Sequence, residues 1–335
     1  MTAQKRITYF DIAKGLMILG LLVSHFSIVK THLGMKDDFR YLDMFITLYS
    51  GFFMQCFFFI TGYCSSFAID AKRFFTKLFK QLLLPLCFFD ILNQILYSLG
   101  IKYACDVFST PIYLTSMWFV RALILAKIIV WVIQKVSKSD YVLLIVTFAL
   151  LIVGGALNEL HLFTMETEFF CYCHGLLASF FVALGFFFKR HQGLYNIFLK
   201  YGWIVYLLVL LVRYVSKTTI FQSFDANIGF ELYGIVPMLI MTISGLFACL
   251  MLSKQIVSNP LLEFYGKNSL IVYCVHIIPL YYITRFVYDD LHVSAWHFTG
   301  SYYLLLLIVF TLTSLAMALF IILFTKTPLR KCIGK

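Results

Sequence analysis

Tyr9–Val29 reads YFDIAKGLMILGLLVSHFSIV. Its 21 residues match the about 20 apolar residues that a helix needs to cross the hydrocarbon core of a bilayer. Yet the stretch carries Asp11, Lys14 and His25. Ionisable side chains at that depth cost about 2.5–3.5 kcal/mol each on the mildest scale, so three in one span imply a task beyond anchoring. The eleven-residue step from Lys14 to His25 leaves them about 20° apart around the helix and about 16 Å apart along it. They share a face, one near each side of the membrane. Plainer roles stand beside the functional ones: His25 as polar glue to a neighbouring helix, and Lys14 in a salt bridge with Asp11 three residues earlier. Asp11 itself cannot orient the His25 ring, because about 21 Å of helix separates them.

Composition supports the same class. Hydrophobic residues make up 61% and charged residues 13% of the chain, with a mean hydropathy of +0.89, and apolar runs recur throughout. This describes an all-α, polytopic membrane protein with a single transmembrane domain, 1–335, and neither a soluble module nor a long linker. Ten helices are expected at roughly 9–29, 44–69, 80–100, 118–136, 141–157, 171–188, 200–216, 233–253, 268–287 and 301–325. The first is too long for a signal-peptide core and is expected to be retained. Most of the nine cysteines sit in apolar runs as small buried hydrophobes. The net charge of +11 is divided among loops rather than gathered for nucleic acid. With the amino terminus in the cytoplasm, 17 Lys and Arg fall inside against seven outside, so both termini are expected inside. No internal repeat, phosphate-binding glycine loop, H-E-x-x-H or G-x-S-x-G is present.

Four segments carry a resemblance. Asp11-x-x-Lys14-Gly15 is followed by His25, eleven residues after the lysine. Phe57-Phe58-Phe59-Ile60-Thr61-Gly62-Tyr63 is an aromatic run closed by glycine and tyrosine, and Lys77-Leu78-Phe79-Lys80 is a basic pair with Pro85 following. Gly266-Lys267-Asn268-Ser269-Leu270 precedes Tyr273 and His276. In this order they resemble the acyltransferase-3 superfamily of integral membrane O-acyltransferases, and the opening wording is similar to its fucose 4-O-acetylase-like branch. The resemblance implies O-acylation that depends on the first-helix histidine, here His25; the expected acyl donor and co-substrate is a thioester made inside, such as acetyl-CoA. Lysines at 77 and 80 depart from the family's arginines and give up bidentate phosphate geometry.

Under the expected topology Lys14 lies in the cytoplasmic half of the first helix and His25 in the outer half. The pantetheine arm of an acyl-CoA made inside bridges much of the about 16 Å between them, bringing its thioester to His25, while the acceptor hydroxyl arrives from outside. Histidine suits the step, since an unperturbed pKa of about 6.5 lets it take a proton from a hydroxyl and return it to a thiolate near neutral pH. Arg121 is expected at the depth of His25, to stabilise an oxyanion or grip the acceptor, and Trp118 to stack on a sugar; the alternatives are a snorkelling arginine and an interfacial tryptophan. Asp90 is a supporting residue, with Lys127 as its partner or as a further donor contact. Arg73, Lys77 and Lys80, beside Lys72, offer cations to coenzyme A phosphates, or simply set topology beside anionic lipid. His276 belongs to the late pattern and reads as a core hydrogen-bonding residue. Cys171-Tyr172-Cys173-His174, with His161, Glu166 and Glu168, lacks a usual zinc spacing, and no metal is expected.

The expected enzyme moves an acyl group from acyl-CoA to a cell-surface or lipid-linked glycan, in contact with membrane lipid and located in a bacterial cytoplasmic membrane. The other class is a transporter or flippase using Asp11, Lys14 and His25 as a relay. It lacks the paired, broken half-helices of an inverted repeat.

Overall fold

A computed structural model describes residues 7–32, 46, 49–99, 117–159, 170–216, 235–290 and 300–334, and all its regular elements are helical. Thr8–His32 forms α1, Phe53–Cys64 α2 and Ala71–Leu78 α3, which runs through a π-helical turn at Phe79–Leu83 into α4, Leu84–Ser98. Trp118–Val136 is α5, Asp140–Glu159 α6, Phe170–Arg190 α7 and Gln192–Ser216 α8. Ile235–Gln255 is α9, Pro260–Lys267 α10, Ser269–Val275 α11, Ile277–Arg285 α12 and Gly300–Lys326 α13. Among the described residues six helices, α1, α6, α7, α8, α9 and α13, are long and apolar enough to cross a membrane, or seven if the bent pair Ser269–Val275 and Ile277–Tyr288 is one span. The fold is that of a polytopic, all-α membrane protein.

Three expected spans need correction. The span at 44–69 ends as a helix at Cys64, where Ser65 turns to extended backbone (ψ 159°); its first part lies mostly outside the described residues. The span at 80–100 begins a helical stretch earlier. Asp70 caps α3 by accepting the Arg73 amide at 2.9 Å, a bond that also holds the Asp70 carboxyl below its usual range. The span at 268–287 is broken, with α11 and the segment Ile277–Tyr288 meeting at 51°. Pro279 accounts for the bend: its ring nitrogen cannot donate to the carbonyl of Val275, four residues back, and its ring crowds that carbonyl.

Packing sorts the helices by depth. Along α7, 83% of the spanning residues are buried, against 28%, 22% and 28% on α6, α8 and α13. These outer helices turn large apolar side chains such as Ile145, Leu211 and Leu319 outward, as suits a lipid-facing surface. The interior is rich in phenylalanine: Phe59, Phe181 and Phe247 are fully buried around α7. Close approach needs glycine at the centre. A Cβ on Gly62 would lie 1.9 Å from the carbonyl oxygen of Val182, so the glycine that closes the aromatic run is where α2 and α7 touch backbone to backbone.

The helix ends that the charge pattern assigns to one side gather at one end of the bundle. Tyr9 and Tyr195 share a hydroxyl hydrogen bond at 2.8 Å, Lys189 donates to the Ser65 carbonyl at 2.9 Å, and Arg190 pairs with Asp140 at 2.7 Å. The carboxyl-terminal turn closes on the same end, since Gly334, at φ +71°, lies directly against the backbone of Lys80.

Candidate active site

The site is built where α1 meets the broken helix. Asn259 caps α10 by accepting the Leu262 amide at 3.0 Å, and Pro260 occupies its first turn. On α10, Glu263 and Lys267 pair at 2.8 Å, and the lysine's hydrogen bond holds the Glu263 carboxyl below its ordinary range. A neighbouring face of α10, with Leu262 and Gly266, lies on α1. A Cβ on Gly266 would come 1.8 Å from the Asp11 carbonyl oxygen. The late motif thus begins with the glycine that lets α10 reach α1, and it continues into α11.

Along α11, the Tyr273 hydroxyl accepts the Phe119 amide at 3.2 Å, which ties this helix to the first turn of α5. His276 follows at the bend. Its ring stands perpendicular to that of His25, with centroids 4.7 Å apart. His25 Nδ1 lies 3.0 Å from the Leu21 carbonyl oxygen. A carbonyl only accepts, so Nδ1 carries the proton and Nε2 is the basic nitrogen of the neutral ring. Main chain of its own helix thus helps to fix the His25 ring, and His276 is a neighbouring side chain.

At the amino-terminal part of α1, Lys14 and Asp11 form an ion pair at 2.8 Å, with the Asp11 side chain 4% and the Lys14 side chain 23% exposed. The Tyr49 hydroxyl donates to the Met17 carbonyl, which pins the middle of α1. This tyrosine had no sequence pattern to single it out.

The first turn of α5, tied to α11 through the Tyr273–Phe119 hydrogen bond, carries Trp118 and Arg121. Trp118 packs against His174 at 5.0 Å. Arg121 pairs through Nη2 with Asp90, so the partner of Asp90 is Arg121 and not Lys127. Its Nε is buried and lacks a hydrogen-bond partner among the described residues. Of the loosely metal-like cluster, His161, Glu166 and Glu168 lie outside the described residues.

Lys127 points elsewhere. With Lys77, Ser65, Ser66, Gln81 and Phe74 it lines a cavity of about 140 Å³ near the end where the basic helix ends gather. The basic pair is divided: Lys77 lines the cavity, while Lys80 does not and its backbone lies against Gly334. Arg73 is taken up with Asp70 at the surface, its Nε 3.3 Å from the carboxylate and its side chain 66% exposed. The arrangement thus has two parts. A recess with two cations lies toward one end, and a pair of histidines lies where α1 meets the broken helix.

No curated protein and no solved structure matches the chain. A family model described as an acyltransferase domain, of the acyltransferase-3 type, matches residues 7–325. Its match spans nearly the whole transmembrane domain and includes all four motif segments. The chain belongs to the acyltransferase-3 family and is a membrane acyltransferase.

Proposed function

We propose that the protein transfers an acetyl group from cytoplasmic acetyl-CoA to a hydroxyl of a cell-surface or lipid-linked glycan on the outer side of a bacterial cytoplasmic membrane, in the manner of the fucose 4-O-acetylase-like branch. The observation that carries this reading is the His25 ring, whose Nδ1 proton is directed at the Leu21 carbonyl, which makes Nε2 the basic nitrogen. The cations that line the recess, Lys77 and Lys127, suit the phosphates of coenzyme A. Lys14, partly exposed on the helix that bears His25, meets the donor on its way.

In the transfer, His25 Nε2 takes the acceptor's hydroxyl proton as the oxygen attacks the thioester carbonyl carbon. The oxyanion that forms is met by the Arg121 Nε–H, a buried donor held on a guanidinium that Asp90 orients. The carbon–sulfur bond then breaks, and His25 returns the proton to the departing thiolate. No charge remains on the histidine at the end of the cycle. Trp118 supplies an aromatic edge for the acceptor beside this centre.

The test is turnover of the thioester. Purified protein with acetyl-CoA and a glycan acceptor should release free thiol and form an ester, and His25→Ala and His25→Gln should both abolish this while remaining folded, because glutamine hydrogen-bonds but does not titrate. Wild-type-like turnover in either variant refutes the mechanism.

A further inference from the structure

His276 has one nitrogen whose use the transfer leaves unexplained. The side chain is 3% exposed. Its Nδ1 lies 2.8 Å from the Tyr273 carbonyl oxygen and 3.2 Å from that of Val272, so Nδ1 holds the proton and Nε2 is a lone-pair acceptor. That Nε2 is buried and has no hydrogen-bond partner among the described residues. The adjacent His25 does not supply one, because in its neutral form its single N–H is already donated to Leu21. Two imidazoles, each with its Nδ1 proton directed at a main-chain carbonyl, therefore stand side by side, 4.7 Å between centroids. Removing one proton from one hydroxyl needs only one of them. A histidine serving as glue between helices would spend its second nitrogen on a neighbour, and a buried acceptor without a partner among the described residues calls for a donor, which a ligand group can supply.

We propose that His276 Nε2 accepts a hydrogen bond from a second hydroxyl of the acceptor, adjacent to the hydroxyl that His25 deprotonates, so that the enzyme selects polyols with neighbouring hydroxyls, as on a sugar ring. This rests on the glycan reading above. The bend at Pro279 places His276 at the end of α11, and the Tyr273–Phe119 hydrogen bond fixes the turn that presents it. His276 forms and breaks no bond; it positions the acceptor. A site built to receive a hydroxyl rejects an analogue that lacks it, because the buried nitrogen is then left without a donor.

The experiment measures thiol release from acetyl-CoA by purified protein with a panel of methyl glycopyranosides and their monodeoxy analogues, in wild type, His276→Phe and His276→Gln. For an accepted glycoside, removal of the hydroxyl next to the acylated one should lower kcat/KM by about tenfold or more in wild type. His276→Phe should lose about the same factor with the parent glycoside and lose little more with the deoxy analogue, since residue and hydroxyl are then two halves of one bond. His276→Gln, which keeps an acceptor atom, should recover part of the preference. The wild-type comparison stands even if His276→Phe fails to fold. A deoxy penalty absent from wild type, or one that persists undiminished in both variants, overturns the inference alone. Failure of every glycoside to stimulate thiol release in wild type overturns the glycan reading and this inference with it.

Discussion

Gly266→Ala is the substitution in which fold and activity meet most directly. The added Cβ would lie 1.8 Å from the Asp11 carbonyl oxygen and 3.0 Å from the Gly15 amide nitrogen. Both are backbone atoms, so no side chain can swing aside. Ordinary contact begins at 3.4 Å, and reaching it means moving α10 away from α1. Overpacking of this kind costs about 1–3 kcal/mol, and the upper end applies where both sides are rigid helix. The same displacement reaches the reaction centre, because α10 leads through α11 to His276 while α1 carries His25. A misplacement of about 1 Å at reacting groups lowers turnover by about 100-fold. Thermal unfolding in detergent, together with thiol release from acetyl-CoA, should therefore show a lowered midpoint and a loss of roughly 10- to 100-fold in kcat/KM. Gly193→Ala is the control, since nothing lies within 4 Å of its added Cβ; both readouts should match wild type. A Gly266→Ala protein with wild-type midpoint and turnover would refute the argument that backbone contact between α1 and α10 sets the geometry.

Lys77→Ala and Lys127→Ala should each raise the KM for acetyl-CoA by roughly tenfold or more, as expected for losing a charge-assisted contact, whereas Lys80→Ala and Arg73→Ala should change it less than about twofold, in the range of surface ion pairs; the opposite ranking would move the donor site out of the recess. Asp90→Ala should strand Arg121 and cost about 3–5 kcal/mol in unfolding measurements. The double change Asp90→Leu with Arg121→Leu should regain stability without activity, and an active double variant would remove Arg121 from the mechanism. Lys14→Ala should weaken donor use more than Lys14→Arg, read as KM for acetyl-CoA; an active alanine variant beside an inert arginine variant would end the donor-contact role.

How much of this was legible in the sequence depended on how local the cause was. The span 118–136 coincides with α5, because an apolar run bounded by polar loops is a local property. The Asp11–Lys14 pair was legible for the same reason, since three residues on a helix bring the two side chains together. The early start of the 80–100 helix was hidden because Lys72, Arg73 and Lys77 make its first turns polar, although the Asp70 cap was there to be read. The bend at His276 did have a signal, Pro279, which the apolar run around it masked. The pairing of His25 with His276, and of Asp90 with Arg121, joins residues 251 and 31 positions apart. No spacing rule connects residues on separate helices; only the packing of those helices, such as the close approach at Gly266, brings them together. The same limit hides that Lys77 and Lys80, three residues apart, have different surroundings, only the first lining the recess.

The central claim is that donor and acceptor meet at His25 from opposite sides of the membrane. Its premise is the 17-to-7 division of Lys and Arg, which sets the expected orientation, and the about 16 Å of helix between Lys14 and His25. The direct measurement uses sealed, oriented vesicles in which acetyl-CoA is confined to the cytoplasmic face and a glycan acceptor to the other. The account predicts acetylation of that acceptor, lost in His25→Ala and absent when acetyl-CoA is supplied only on the acceptor's side. Transfer only when both substrates share one face would contradict it, even if His25 remained essential.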